Sequence, residues 1–375
     1  MVCMKILIVA NRVRTYALAF QNEIIPLLSL GHDIVWAADF SDFIGDLKQI
    51  PCKTVQIDIV SYPLHRTNIK AYKQVCNIIR TEKIEAISCS TPIGGTIARL
   101  AGWHCGVKNI IYEAHGFLFF KNVPWFKRVI FELHERLLAN ITDTLITITK
   151  EDFESAKKFK LRSNRHPYYV HGAGVNVGVS VNSDREQVRK ELGFCENDVL
   201  IISAGDLNDN KNNKVVIKAL SLIPNENIHY LICGHGNRKD YLMNLADSLG
   251  LSNRVHFLGY RTDMPNLYAA SDIFAMPSRR EGVPRSILEA MDLGLPCIGS
   301  RTRGISDLIE NELGGFTCHS ESPKEFASAI SLLASDRTLR ENFGQYNRTK
   351  TKEYSTEVVR QELYDIYKEV MVDSI

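Results

Sequence analysis

The chain of 375 residues lacks long apolar runs: no stretch of about 18 consecutive apolar residues occurs, so no segment is a candidate membrane span. The opening run Lys5-Ile6-Leu7-Ile8-Val9-Ala10 is too short for the apolar part of a secretory signal and fits a buried first strand. Paired cysteines are missing as well. The nine cysteines are scattered, odd in number and without a Cys-x-x-Cys pair, which argues against a disulfide framework or a zinc site and points to the cytoplasm. There is no low-complexity tract. No Asp-x-Asp element follows a predicted strand, and Asp58 in Ile57-Asp58-Ile59 has no partner at that spacing. Helix-turn-helix, zinc-finger and aromatic ribonucleoprotein patterns are also absent, which leaves nucleic acid without support as a partner.

With 45% hydrophobic and 23% charged residues, the chain can bury two cores, and its length favours two domains. Its net charge of +2 is unevenly spread. Residues 1–185 carry 23 Lys and Arg against 16 Asp and Glu, a net +7, and residues 186–375 carry 22 against 27, a net −5. A basic first half suggests an anionic partner, either a lipid surface or a phosphate-bearing acceptor.

Short apolar runs alternate with helical patterns, the signature of parallel α/β layers. In the first half the predicted strands are 5–10, 33–38, 54–59, 85–89, 109–113, 144–148 and 168–171. Helical spacing covers 15–30 and 124–140, the second carrying Trp125, Phe126, Val129, Ile130, Leu133, Leu137 and Leu138. A stretch poor in large apolar residues, about 172–185, reads as the interdomain linker. The pattern then restarts with a strand at 198–204, a helix near 212–222, and strands at 228–233, 255–258, 272–276 and 296–299. The domains expected are 1–180 and 181–354, followed by an amphipathic helix within 355–375. Ligands of parallel α/β sheets sit at the carboxyl ends of strands. Lys211, Gly234, Gly259 and Glu281 all fall just after predicted strands.

The densest signal is Glu281-Gly282-Val283-Pro284-Arg285-Ser286-Ile287-Leu288-Glu289, a loop leading into a helix that starts near Arg285. Such a junction directs free backbone N–H groups and partial positive charge at whatever lies ahead of it, and a phosphate fits there. Glu289 lies about one turn into that helix. Three more segments belong with it: Arg303-Gly304-Ile305-Ser306-Asp307, Ala204-Gly205-Asp206-Leu207-Asn208-Asp209-Asn210-Lys211-Asn212, and Glu113-Ala114-His115-Gly116-Phe117. Together, and in their chain order, they resemble the His-Gly-Phe element, the phosphate loop, the E-x7-E signature and the turn ending in an acidic residue of the retaining glycosyltransferases of family 4. That resemblance implies the GT-B fold, two Rossmann-like α/β domains facing each other across a cleft, with the last helix returned to the first domain.

It also implies roles. Lys211, by itself a surface lysine on composition alone, would face the donor diphosphate with a charge-assisted hydrogen bond. His115, otherwise a structural histidine, would orient sugar hydroxyls. Glu281 could merely sit favourably ahead of a helix N-terminus, a contribution of about 0.3–1 kcal/mol; the resemblance places it on the sugar ring, and Glu289 on the ribose. Pro284, Arg285, Ser286, Ile287 and Leu288 would line the donor. Gly234 in Gly234-His235-Gly236 could be a tight turn only, and with Gly259, Tyr260 and Arg261 it would border the nucleotide. Family members often carry Arg or Glu where this chain has Asp206, so Arg285 or Arg279 would supply the missing base. The first loop, Asn11-Arg12-Val13-Arg14, departs from the family's frequent Gly-Gly turn, and Arg12 and Arg14 are candidates to meet an acceptor phosphate. Substitution would occur on the front face, assisted by the donor phosphate, with no metal and no cofactor beyond the nucleotide-sugar substrate. Phe117-Leu118-Phe119-Phe120-Lys121-Asn122-Val123-Pro124-Trp125-Phe126-Lys127-Arg128 mixes aromatics and bases: about half of the aromatics belong to a core, and the rest suit a lipid interface.

These features read as a glycosyltransferase peripheral to the cytoplasmic face of the membrane. It would transfer sugar from a UDP-sugar to a lipid-diphosphate-linked saccharide in capsule, exopolysaccharide or surface-glycan synthesis. UDP-N-acetylhexosamine is the first donor candidate, and UDP-hexose, GDP-mannose and dTDP-rhamnose stay open. Two alternatives share the architecture: a non-hydrolysing UDP-sugar 2-epimerase and a non-catalytic sugar-nucleotide binding protein. The basic asymmetry and the E-x7-E loop count against the epimerase.

Overall fold

The computed structural model describes residues 3–62, 65–120, 123–181 and 184–372. Lys121 and Asn122 of the aromatic-basic segment, residues 182–183 of the expected linker and residues 373–375 lie outside the described residues. The chain divides into two compact units, Met1–Gly174 with Thr356–Ile375, and Val175–Ser355. The first boundary falls ahead of the expected 180–181 because residues 175–179 are tied to the second unit. Val175 donates its N–H to the Tyr354 carbonyl (3.0 Å), and the Asp292 carboxylate accepts from the Gly178 N–H (2.9 Å).

The first unit holds β1 (Lys5–Arg12), β2 (Asp33–Asp39), β3 (Lys53–Gln56), β4 (Ala86–Cys89), β5 (Asn109–Ala114), β6 (Thr144–Thr147) and β7 (Tyr168–Tyr169). They form one sheet in the order β3-β2-β1-β4-β5-β6-β7, every neighbouring pair parallel. The expected strand 54–59 closes at Gln56; beyond it the Ile57 N–H still bonds the Ala38 carbonyl (3.0 Å), but the ladder ends. Alternation along β1 sends Leu7 and Val9 into the core shared with helices Arg66–Thr81 and Pro92–His104. Ile6 and Ile8 face the opposite core with Trp36. Burial on both faces is why these strands read as nearly continuous apolar runs.

That second core is covered by helices Leu18–Ser29 and Thr356–Val372. The latter buries Val359, Leu363, Ile366, Tyr367 and Val370. Polar contacts fix its register: Arg360 Nε donates to Asn22 Oδ1 (2.8 Å), and Asn109 Nδ2 to the Val370 carbonyl (3.0 Å).

The second unit repeats the plan with β8 (Val199–Ala204), β9 (Ile228–Cys233), β10 (Val255–Gly259), β11 (Ile273–Met276), β12 (Cys297–Ser300) and β13 (Gly315–Cys318). Their order is β10-β9-β8-β11-β12-β13, again all parallel. In each unit the strand order reverses beside the first strand, the point at which open α/β sheets bind ligands outside their carboxyl ends. Each unit is therefore a Rossmann-like sheet with a single preferred ligand edge.

Candidate active site

In the second unit the reversal lies between β8 and β11. The loop after β8 is rich in asparagine because it is built from side-chain bonds to neighbouring backbone. Asn208 Oδ1 accepts the Lys211 N–H (3.0 Å), and Asn210 Nδ2 donates to the Arg280 carbonyl (2.9 Å). Asn212, almost fully buried, donates to the carbonyls of Pro277 (3.2 Å) and Ser320 (2.7 Å). Asn213 Oδ1 accepts from the Tyr230 hydroxyl (3.0 Å), whose oxygen lies 2.7 Å from Ser203 Oγ. These amides lash the loop after β8 to the loop after β11.

The result brings Lys211 and Glu281 together. Lys211 Nζ lies 2.8 Å from Glu281 Oε1, with side chains 21% and 14% exposed. Both remain accessible, and both have a strong electrostatic partner. Glu281 stands ahead of the helix Arg285–Asp292, whose N-terminus has no side-chain cap and no acidic residue in its first turn. Pro284, the residue before the helix, spares one N–H that would otherwise lack a partner. The loop is also held from behind. A Cβ on Gly304 would lie within 1.4 Å of the Gly282 carbonyl oxygen, and Arg303 Nε donates to the Glu281 carbonyl (3.3 Å). The turn Arg303–Asp307 is thus part of the scaffold of Glu281.

Gly234 closes the third side. Its φ is +141°, its N–H bonds the Gly259 carbonyl (2.7 Å), and a Cβ there would come within 2.0 Å of the Gly205 carbonyl oxygen. Only glycine fits this contact between the loops after β8, β9 and β10. Tyr260 is exposed and stacks on His235, whose Nε2 accepts the Tyr260 N–H (3.3 Å). Arg261 grips Asp263 in a bidentate pair (2.8 and 2.6 Å).

Glu289 occupies a different wall. It borders a cavity of about 270 Å³ together with Thr262, Met264, Tyr268, Arg285 and Asp292. Burial raises its carboxyl above the ordinary range, while Arg285 and a hydrogen bond from Tyr268 pull it back. Arg285 Nη2 stands 3.5 Å from Glu289 Oε1, a long and loose pair. Ser286 lies on the partly exposed side of this helix, whereas Ile287 and Leu288 are fully buried, so any contact they make with a ligand would be through backbone. Of the two bases named to stand in for an arginine at Asp206, Arg279 is engaged elsewhere, bonding Glu321 (2.7 Å) and the Asp209 carbonyl (2.7 Å). Arg285 keeps the looser contact.

The first unit carries the remaining candidates. His115 follows β5, with its side chain 36% exposed and Nε2 2.9 Å from Glu113 Oε1. Arg12, at the end of β1, is exposed and ion-paired with Asp42; Arg14 is exposed two residues on. Asn11, the residue before Arg12 in β1, instead turns inward: its Oδ1 accepts the Gly94 N–H (2.7 Å) and the Thr91 hydroxyl (3.0 Å).

Sequence reasoning missed Tyr268 beside Glu289, Arg303 behind Glu281, and Glu113 beside His115. Arg303 and Glu113 stood inside motifs already recognised, two residues or fewer from a glycine or histidine that drew attention. Tyr268 carried no local signal.

A two-unit α/β chain with these loops is a glycosyltransferase of GT-B fold. Residues 184–350 match the model of the glycosyl transferases group 1 family. The Bacillus subtilis (strain 168) protein named "Putative glycosyltransferase EpsD" is 32% identical over 324 residues, covering 84% of each chain. The chain belongs to the group 1 glycosyltransferases. It is also 27% identical over 278 residues, 72% of each chain, to the Escherichia coli UDP-Gal:alpha-D-GlcNAc-diphosphoundecaprenol alpha-1,3-galactosyltransferase. The crystal structure of Anabaena HepE in complex with UDP shares the fold, with a TM-score of 0.78 and 20% identity, over 98% of this chain and 100% of that one.

The cavity beside Glu289 yields a first prediction. With UDP, GDP and dTDP titrated in turn by calorimetry, the nucleotide that binds should lose affinity about tenfold or more in Glu289→Gln, the cost of one hydrogen bond to a charged group. Undiminished affinity would remove Glu289 from the nucleotide site.

Proposed function

We propose that this glycosyltransferase moves a hexosyl or N-acetylhexosaminyl group from a UDP-sugar to a hydroxyl of a lipid-diphosphate-linked saccharide. The reaction retains anomeric configuration, needs no metal, and serves capsule, exopolysaccharide or other surface-glycan assembly. The observation that carries this reading is the convergence of Lys211, Gly234 and Glu281 at the carboxyl ends of β8, β9 and β11, ahead of an uncapped helix. Charge that develops on a departing diphosphate is met there by an ammonium and by helix N–H groups. The HepE structure contains UDP, and the E. coli relative is named for a UDP-linked donor and a diphosphoundecaprenol-linked acceptor; both favour the donor and acceptor classes proposed. His115 contacts sugar hydroxyls, and Glu281 the sugar ring. Neither role borrows the paired-carboxylate scheme of retaining glycosidases.

The membrane part of the reading rests on the helix Trp125–Ala139. Trp125 (78%), Phe126 (49%), Ile130 (62%) and Leu137 (63%) are exposed, contrary to any assignment of this apolar stripe to the core. Phe117 and Phe119 are the aromatics that do pack inside, stacked at 4.8 Å. The helix is anchored at its C-terminal end by buried Leu138 and Ala139 and by a polar contact: Arg99 lies against Tyr112 (3.8 Å) and binds buried Glu135 (2.9 Å). An apolar face flanked by Lys127 and Arg128 is suited to an anionic bilayer interface. No helix among the described residues is long and apolar enough to cross a membrane.

Turnover of a UDP-sugar should depend on a lipid-diphosphate saccharide and persist in EDTA. Loss in EDTA with recovery in magnesium or manganese contradicts the metal-free mechanism, and conversion of the donor without any acceptor favours the epimerase. Lys127→Glu with Arg128→Glu should reduce cosedimentation with anionic liposomes, since each base near such a surface contributes about 1 kcal/mol that salt screens. Nucleotide binding should be unaffected, because Lys211 and Glu289 belong to the other unit. Equal sedimentation of the folded double variant and wild type would reduce this helix to idle surface.

A further inference from the structure

The His115 side chain stands in front of a buried acidic cluster that the donor chemistry does not use. Glu113, at the end of β5, and Glu23, on the helix Leu18–Ser29, are 4% and 3% exposed. Glu113 Oε1 lies 2.9 Å from His115 Nε2, and the Ser88 hydroxyl on β4 donates to Glu23 Oε1 at 2.5 Å. Tyr367, on the helix Thr356–Val372, is fully buried and is pushed well above its usual range by burial and then by the charges of Glu23 and Glu113. Four elements therefore enclose two carboxyls, one imidazole and one phenol, with only the imidazole reaching solvent.

Two carboxylates and one imidazole cannot balance in a dry site unless a carboxyl stays protonated. We propose that Glu113 is the positioning residue of His115, and that Glu23, buried in the same enclosure and held by Ser88, is coupled to this pair. The Glu113 carboxylate takes up the Nε2–H, fixes the plane of the ring, and leaves Nδ1 as the edge of the imidazole available to a sugar hydroxyl. This is the logic by which a carboxylate sets a histidine's tautomer and orientation. It rests on the assignment of His115 to the sugar.

The electrostatics agree with the geometry. Burial lowers the His115 imidazole, but the charge and hydrogen bond of Glu113, with the charge of Glu23, outweigh it, so its pKa is raised. Burial, reinforced by Glu113, pushes the Glu23 carboxyl up to about 7, against the pull of Ser88 and His115. Both folded-state values exceed the unfolded ones, so stability is greatest at low pH: Glu23 takes stability away as pH rises from about 4.5 to about 7, and His115 as pH rises from 6.5 upward.

The test is an imidazole NMR titration of the full chain, with the His115 signal assigned by its absence in His115→Gln. In Glu113→Gln the His115 midpoint should fall and the ring should lose its preference for a proton on Nε2. In wild type the His115 shift should show a second inflection near neutrality that vanishes in Glu23→Gln, and the fall in thermal stability between about pH 4.5 and pH 7 should be smaller in Glu23→Gln than in wild type. In Glu113→Gln, kcat should fall about tenfold or more with donor KM little changed, matching one lost hydrogen bond to a charged group. An unshifted His115 titration in folded Glu113→Gln overturns the proposal, whatever the turnover. If that variant does not fold, a single-step His115 titration in wild type that is identical in Glu23→Gln overturns it. A shifted titration with undiminished turnover upholds the pair and overturns the assignment of His115 to the reaction.

Discussion

The Lys211–Glu281 ion pair is the interaction around which the loops at the second unit's ligand edge are arranged. It joins two loops that leave adjacent parallel strands, and nearly every polar side chain around it serves to hold those loops in place. Partial burial of both groups makes the pair stronger than an exposed one and leaves it open on one side. A diphosphate, with more charge than one carboxylate, can compete for the ammonium without the lysine having to leave its position. Under the proposed function, Glu281 is then free to turn to a neutral sugar hydroxyl. Under the proposed function, the pair that joins the two loops is also where the diphosphate charge is met.

The first unit solves a different problem with the same sheet. Its ligand edge carries a histidine whose orientation is fixed by a buried carboxylate, and its flank carries an apolar helix pinned by a buried Arg99–Glu135 pair. Removing one partner of a buried pair is costly because it strands the other charge. Loss of either Arg99 or Glu135 would therefore leave the other charge stranded beneath a helix whose apolar face is exposed.

Much of this was legible in the sequence, and particular residues show why. Runs such as Ile6–Val9 are buried on both faces, so they stand out as continuous apolar strands, and Lys211, Gly234 and Glu281 lie in the loops after β8, β9 and β11 that the strand pattern pointed to. β13 was not anticipated, because Gly315–Cys318 has no apolar run and becomes a strand only by pairing with Cys297–Ser300. The helix at 124–140 was legible as a helix but its environment was not: periodicity shows that an apolar stripe exists, not what covers it. Partners distant in sequence stayed hidden for the same reason. Glu281 lies 70 residues from Lys211, and Glu23 lies 65 from Ser88. Burial of a carboxylate such as Glu113 has no local signature, since its neighbours in a central strand are apolar whatever its role.

The most direct test of the Lys211–Glu281 site is the calorimetric affinity of wild type and Lys211→Met for UDP and for uridine. Wild type should bind UDP far more tightly than uridine, and Lys211→Met should lose about tenfold or more of its UDP affinity while binding uridine as wild type does, because only the charge-assisted contact to diphosphate is removed. Equal UDP affinity in the two proteins, with both folded, would contradict the placement of the diphosphate at this pair.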